Sequence, residues 1–482
     1  MNVVVNFMTQ RFPFFIVAYF TIQIIIRLFT SSIVVLDESE QIMLSQYFSL
    51  GYNEQPPLYT WLQMGVFKVF GISVFGLALL KNILLCLTYL YIYKLGLLLL
   101  NDKLKASLGA LSLMLIPQLV WDAQVDQTHT VLLTTATTLT LYYFFKIAIE
   151  NASVSNFVLF GIFSGVGLMA KYNFILVLIA LGIMALLIKE FRIHFYNKRL
   201  IIAMGIALVF VLPHFIWFIS HLDIATHRTI ERMNVGHTGS ALNNFFKGSL
   251  DLVVSCVVFL TPFWMIFVIL FRKKFAFSFN THAKALLGYS IIIFIFLFVM
   301  VAMSGTTHIK ERWLQPYLVF VPLFLFLHVS SLEGDKNIQK YLSLILIASV
   351  SVASVVLIRP FTIDMRGKPT RAAYPFVQLT QKIQEKVQDT DKLLIYAEDK
   401  YLGGNMKLFF PNATVITPSL PNQPYMLNSR LVVIWENDKP LTFIQMVHDK
   451  DYNCSQEVEK IPFQHSTKLF YTAHYMICEK VK

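Results

Sequence analysis

Apolar residues run in long blocks from residue 12 to residue 358, with short polar stretches between them. A helix needs about 20 apolar residues to cross the hydrocarbon core of a bilayer. The blocks predict spans at 12–36, 74–100, 106–120, 128–147, 156–170, 173–188, 200–220, 248–271, 285–304, 314–330 and 341–358. The expected fold over residues 1–358 is therefore an all-α polytopic membrane domain of about 11 transmembrane helices. The run 57–72 is shorter and is interrupted by Lys68, so it reads as a helix lying in the interface. The first block is too long for a signal-peptide core and has no small-residue cleavage site, so it reads as a retained helix.

After Leu357 the period changes. Lys392–Ala397, Ala413–Thr417 and Arg430–Trp435 read as strands, and 374–388 reads as a helix before the first of them. Residues 359–482 are expected to form a small extracytoplasmic α/β domain.

Composition agrees with a membrane chain: 56% of residues are hydrophobic and 14% are charged, where a soluble domain carries nearer a quarter charged. The net charge of +12 does not point to nucleic acid, because the cations sit in short loops. With the N-terminus in the cytoplasm, Lys103/Lys105, the 189–199 cluster, Arg272–Lys274 and Lys336/Lys340 all fall inside. The other side receives 37–56, 121–127, 171–172, 221–247, 305–313 and everything after 358. This predicts a multi-pass inner (plasma) membrane protein with a periplasmic or extracellular C-terminal domain. Cys86 and Cys256 lie in apolar runs and read as packing residues. Cys454 and Cys478 lie in the polar tail and are free to pair if that side is oxidising; the sequence leaves this open.

The polar clusters with chemical interest fall on the same expected side. Asp37-Glu38-Ser39-Glu40 follows the first span at once. It reads either as a capping box, with Asp37 as N-cap and Glu40 at the third helical position, or as a base or metal ligand at the membrane boundary. Loop 51–61 contains Gln55, Pro56, Pro57, Tyr59 and Trp61, an extended entry into an interfacial helix. Asp122, Asp126 and His129 come next, with Asp126 a candidate cap before a threonine-rich run. Lys171-Tyr172 lies between two apolar runs, where an ammonium snorkels outward or meets an anion. Lys310 and Arg312 form a further cationic loop, Lys81 sits mid-span and needs a polar partner, and Arg228 and Arg232 read as solvated loop cations. His214, His221, His227 and His237 match no compact zinc spacing.

The order of these pieces resembles the GT-C membrane glycosyltransferases, in the bacterial branch of the protein O-mannosyltransferase and lipid A aminoarabinose transferase superfamily. The carriers of the likeness are Asp37-Glu38, the Gly51–Trp61 motif, Asp126, the 167–172 segment and the 312–316 segment. The resemblance implies sugar transfer from a polyprenyl-phosphate carrier to a lipid or glycan acceptor, by an inverting displacement beside the membrane. It assigns catalytic carboxylates to Asp37, Glu38 and Asp126, and donor-phosphate cations to Lys171, Arg312 and Lys81. It gives a substrate groove to Gln55, Pro57, Tyr59, Trp61, His129 and Tyr172. The lipid A aminoarabinose transferases carry a lysine where this chain has neutral Gln55, so the phosphate cation must come from elsewhere. The catalytic loops are expected at 37–73 and 121–127. No cofactor is certain; a divalent metal at the acids stays open. The favoured acceptor is lipid A or a related glycolipid, with a protein hydroxyl as the alternative. A non-enzymatic flippase or transporter of lipid-linked sugar is the main rival. A secondary transporter of the inverted-repeat type places its ionisable groups at mid-membrane in repeated halves, a pattern this chain does not show.

Overall fold

The computed structural model describes residues 7–226, 240–278, 280–332, 334, 336–387, 393–420, 424, 430–436 and 452–480. His227, Arg228, Arg232 and His237 fall outside them. Every predicted apolar block carries helix, but the blocks are not all full spans. Among the described residues, 7 helices are long and apolar enough to cross a membrane, or up to 9 if each of two bent pairs is one span. The pairs are Lys103–Leu115 with Gln118–Val125, bent by 77°, and Tyr172–Leu187 with Lys189–Phe195, bent by 111°.

The departures from about 11 spans have local causes. Pro117 stands at the break in the first bent pair, and Pro262 separates Ala241–Leu260 from Phe263–Phe271. The block at 314–330 is two short helices, Glu311–Leu318 with Pro316 inside it, and Val321–Leu327 with Pro322 in its first turn. Proline lacks the donor that an intact helix requires. Val154–Leu168 is helical but only 15 residues long. The interfacial run becomes Leu58–Phe70, which buries Tyr59, Thr60, Gln63 and Phe67 on one face.

The polar loops sort to two ends of the bundle. At one end Lys105 Nζ donates to the Val329 carbonyl at 2.7 Å, Ser107 Oγ to the Thr9 carbonyl at 3.1 Å and Lys274 Nζ to the Ser331 carbonyl at 3.1 Å. The loops that sequence reading assigns to the cytoplasm therefore meet one another. The acid-bearing loops meet at the other end.

The C-terminal region is a five-stranded sheet of order β2-β1-β3-β5-β4. Its strands are β1 Leu393–Ala397, β2 Thr414–Ile416, β3 Arg430–Trp435, β4 Tyr452–Pro462 and β5 Phe470–Lys480. β1 pairs in parallel with β2 and β3, while β5 runs antiparallel to β3 and β4. All five residues of β1 are buried, as in a parallel strand covered on both faces. Cys454 and Cys478 are directly opposed across β4 and β5 and form a disulfide.

This lobe does not keep its core to itself. Ile33, Met43 and Leu44, from the chain just after the first span, pack into one cluster with Leu379, Leu402, Met406 and Val432. Helix Lys400–Phe409 lies on helix Leu36–Leu44 so closely that a Cβ on Gly404 would stand 2.4 Å from Ser39 Cα. Two side-chain amides fasten the contact. Asn405 accepts from the Val34 N–H at 3.0 Å and donates to the Val34 carbonyl at 3.1 Å. Gln46 does the same for Val415, at 3.0 and 2.8 Å.

Candidate active site

Helix Leu36–Leu44 starts two residues earlier than a cap at Asp37 would place it, with Val35 as N-cap. Asp37 is thereby freed from capping. Glu38 takes that work, accepting from the Val35 N–H at 3.3 Å. Its carboxylate is buried and paired twice, with Arg27 Nη2 at 2.8 Å and Lys81 Nζ at 3.1 Å. Burial alone would raise the Glu38 pKa, but Arg27 and Lys81 outweigh it and hold the carboxyl down at about 2. Lys81 also donates to the Gln124 carbonyl at 3.2 Å. Arg27, Glu38 and Lys81 therefore tie the first span, the acidic helix and helix Val74–Leu100 together.

Asp126 does not cap the next long helix, whose N-cap is Thr128. Its Oδ1 accepts from the Asp37 backbone N–H at 3.2 Å, which joins the two acidic loops. Burial, then Asp126 and Glu40, pushes the Asp37 carboxyl up to about 7, against the pull of Arg312 and Lys400. Burial also raises Asp126, partly offset by the Asp37 N–H and by Lys81.

A cavity of about 340 Å³ opens beside these acids. Asp37, Glu40 and Glu54 line it as acids, with Lys171, Arg312 and Lys400 as cations. Gln55, His129 and Tyr172 also reach it, and Tyr317 and Trp313 close part of the wall. Lys171 Nζ donates to Thr130 Oγ1 at 2.8 Å. Tyr172 Oη meets His214 Nε2 at 3.0 Å, and His214 Nδ1 lies 2.7 Å from the Leu50 carbonyl. Nδ1 is thus the donor to the carbonyl, which leaves Nε2 to accept from the tyrosine. The site thus offers cations and carboxylates facing one small volume, a layout suited to holding an anionic leaving group beside a proton acceptor.

Six of the expected site residues do not line this volume. Asp126 stands behind it, holding the Asp37 backbone N–H. Glu38 and Lys81 pair with each other, Glu38 also with Arg27. Tyr59 is buried and tilts against His129, with ring centroids 5.4 Å apart. Trp61 stacks on Phe48 and donates from Nε1 to the Ser49 carbonyl at 2.9 Å. Pro57 is the N-cap of helix Leu58–Phe70. The sequence reading passed over Glu40 as a site acid, Glu54 and Lys400. Glu54 stands beside Gln55 in a loop already singled out, and that neighbourhood was the available signal. Lys400 follows Asp399 at the start of a helix and looks locally like any solvated residue. Among the described residues, no three His, Cys, Asp or Glu side chains gather in a set that could hold a metal ion.

Comparison with known proteins supplies the chemical context. Residues 54–217 match the family described as dolichyl-phosphate-mannose-protein mannosyltransferase. The lipopolysaccharide core galacturonosyltransferase RgtA of Rhizobium johnstonii is 30% identical over 456 residues, 93% of this chain and 91% of that protein. RgtB of the same organism, also a lipopolysaccharide core galacturonosyltransferase, is 30% identical over 425 residues, 87% of this chain and 85% of its own. The crystal structure of ArnT from Cupriavidus metallidurans bound to undecaprenyl phosphate superposes with a TM-score of 0.61 at 14% identity, covering 97% of this chain and 98% of that one. The fold is shared with ArnT, and the full-length kinship with two glycosyltransferases fixes the family: the chain belongs to the GT-C membrane glycosyltransferases.

Proposed function

We propose that the protein transfers a sugar from a polyprenyl-phosphate carrier to a hydroxyl of a cell-envelope glycolipid. The two curated relatives point to galacturonic acid as the sugar and to the lipopolysaccharide core as the acceptor; lipid A is the neighbouring choice. The observation that carries this reading is the meeting of Asp37, Lys171 and Arg312 around one cavity. The acceptor oxygen attacks the anomeric carbon from the face opposite the phosphate. The bond from that carbon to the phosphate oxygen breaks, and polyprenyl phosphate departs. Lys171 and Arg312 hold the departing phosphate, which is already a good leaving group and needs no strong acid. Asp37 takes the acceptor proton, and Asp126 holds the Asp37 backbone in place.

The side of the membrane follows from charge: the mutually bonded cationic loops belong in the cytoplasm, so the cavity and the sheet lobe face the periplasm or exterior. A disulfide in the lobe supports that side, since such bonds persist in oxidising compartments. A protein hydroxyl is the second reading, favoured by the match of residues 54–217 to the protein mannosyltransferases.

The test is direct. Purified protein is given radiolabelled polyprenyl-phosphate galacturonic acid with lipopolysaccharide core or with envelope protein as acceptor. Label is expected in the glycolipid, with free polyprenyl phosphate released. Movement of intact donor across a vesicle without its consumption would identify a flippase and end the transferase proposal. Lys171→Ala is expected to abolish donor use, and wild-type turnover in that variant removes Lys171 from the site.

A further inference from the structure

Lys400 comes from the sheet lobe, far along the chain from the acids it meets. It opens helix Lys400–Phe409, whose N-cap Asp399 accepts from the Leu402 N–H at 2.8 Å. Its ammonium pairs with the Glu40 carboxylate, and the two side chains are only 17% and 12% exposed. The other oxygen of Glu40 accepts from Asn53 Nδ2 at 2.6 Å. Glu40 stands three residues after Asp37, so the two carboxylates share a face of helix Leu36–Leu44. Lys400, Glu40 and Asp37 all line the cavity. An exposed lysine–glutamate pair has little effect on its surroundings, because water screens it. A shielded pair at a cavity wall acts on its neighbours through a lower dielectric.

We infer that Lys400 is a positioning residue for sugar transfer: by neutralising Glu40 it preserves Asp37 as a working carboxylate, so the C-terminal lobe completes the reaction centre. The inference rests on the sugar-transfer reading above. The charged groups around Asp37 set its sign. Glu38 and Glu40 share its helix, Asp126 touches its backbone, Arg312 faces it from helix Glu311–Leu318, and Lys400 reaches in from the lobe. Glu38 is already neutralised by Arg27 and Lys81. Lys171, His129 and Glu54 line the same cavity. Removing Lys400 leaves Glu40 uncompensated on the face it shares with Asp37, and it removes one of the two cations that draw the Asp37 proton off.

The experiment measures donor consumption by the purified full chain across the pH range, with a hydroxyl acceptor. Lys400→Ala is expected to move the acid limb of the rate profile upward by about one pH unit, an approximately tenfold loss of kcat below the limb. The rate recovers at high pH, and the donor KM is unchanged. Lys400→Arg restores most of the rate. Removing both charges, in Glu40→Gln with Lys400→Ala, returns the limb toward its wild-type position. An unshifted limb in Lys400→Ala overturns the inference. So does a uniform loss at every pH that the second substitution fails to relieve, which marks a purely structural clamp. Wild-type protein that consumes no donor overturns the sugar-transfer reading itself, a result separable from the variant comparison.

Discussion

Glu38→Gln is expected to destabilise the protein while leaving the cavity lining in place. The substitution strands two cations. Arg27 keeps the Ser31 and Ile33 carbonyls, at 2.8 and 2.9 Å, but Lys81, with a side chain 2% exposed, keeps only the Gln124 carbonyl. Removing one partner of a buried ion pair costs about 3–5 kcal/mol, because the remaining charge is left uncompensated. The protonation equilibrium points the same way: Arg27 and Lys81 outweigh burial and hold the carboxyl from its ordinary 4.5 down to about 2, so the ionised form is favoured in the folded state. The sign is that of a depressed carboxyl: the contribution is complete above 4.5 and fades as pH falls toward 2. Thermal unfolding in detergent, followed by tryptophan fluorescence, is the assay. At neutral pH the midpoint of Glu38→Gln should lie roughly 3 °C or more below wild type, and the gap should narrow on acidification. Equal midpoints at neutral pH, or a gap indifferent to acid, would refute the argument. Lys81→Met provides the companion measurement. It should lower the midpoint and leave the donor KM alone; a raised KM with unchanged stability would instead place Lys81 on the donor phosphate.

Three further outcomes concern Asp37 and the seating of the lobe. Asp37 is raised to about 7, so transfer to a hydroxyl should rise as pH passes upward through that value, and Asp37→Asn should abolish it; a rate flat from pH 5 to 9 would remove Asp37 as the base. Because an ionised Asp37 is unfavourable in the folded state above that pH, Asp37→Asn should also raise the thermal midpoint at pH 8 relative to wild type. Gly404→Val pushes a side chain into Ser39 Cα, and overpacking of this kind costs about 1–3 kcal/mol. Limited proteolysis should then release the lobe faster than in wild type, and unchanged cleavage would refute the tight docking.

Much of the fold was legible because the bilayer imposes a coarse rule on sequence. Apolar blocks had to become helices, and the cationic loops had to share an end. The acids at 37 and 126 announced themselves as costly residues at helix exits, and their loops do meet. What the sequence hid was tertiary in origin. β4 is polar along nearly its whole length, with only Ile461 buried, so it has no alternation to read; β5 supplies its pairing. Lys81 looked like a phosphate ligand because its need for an anion was evident and the identity of that anion, Glu38, was not. Helix Leu36–Leu44 starts ahead of Asp37 because Glu38, not Asp37, satisfies the free N–H, a choice that only the packed geometry makes. Lys400 carried no local mark at all, since its importance lies in what a distant helix brings to it.

The amide clamp between Asn405 and Val34 spans 371 positions of chain. During synthesis the ribosome finishes the first span and its acidic exit hundreds of residues before it makes the segment that seats them. The growing polypeptide therefore passes through insertion with Ile33, Met43 and Leu44 lacking their final cover. Transplanting a foreign lobe onto this bundle would need residues 33–46 carried along with it, because the seam belongs to both ends of the chain.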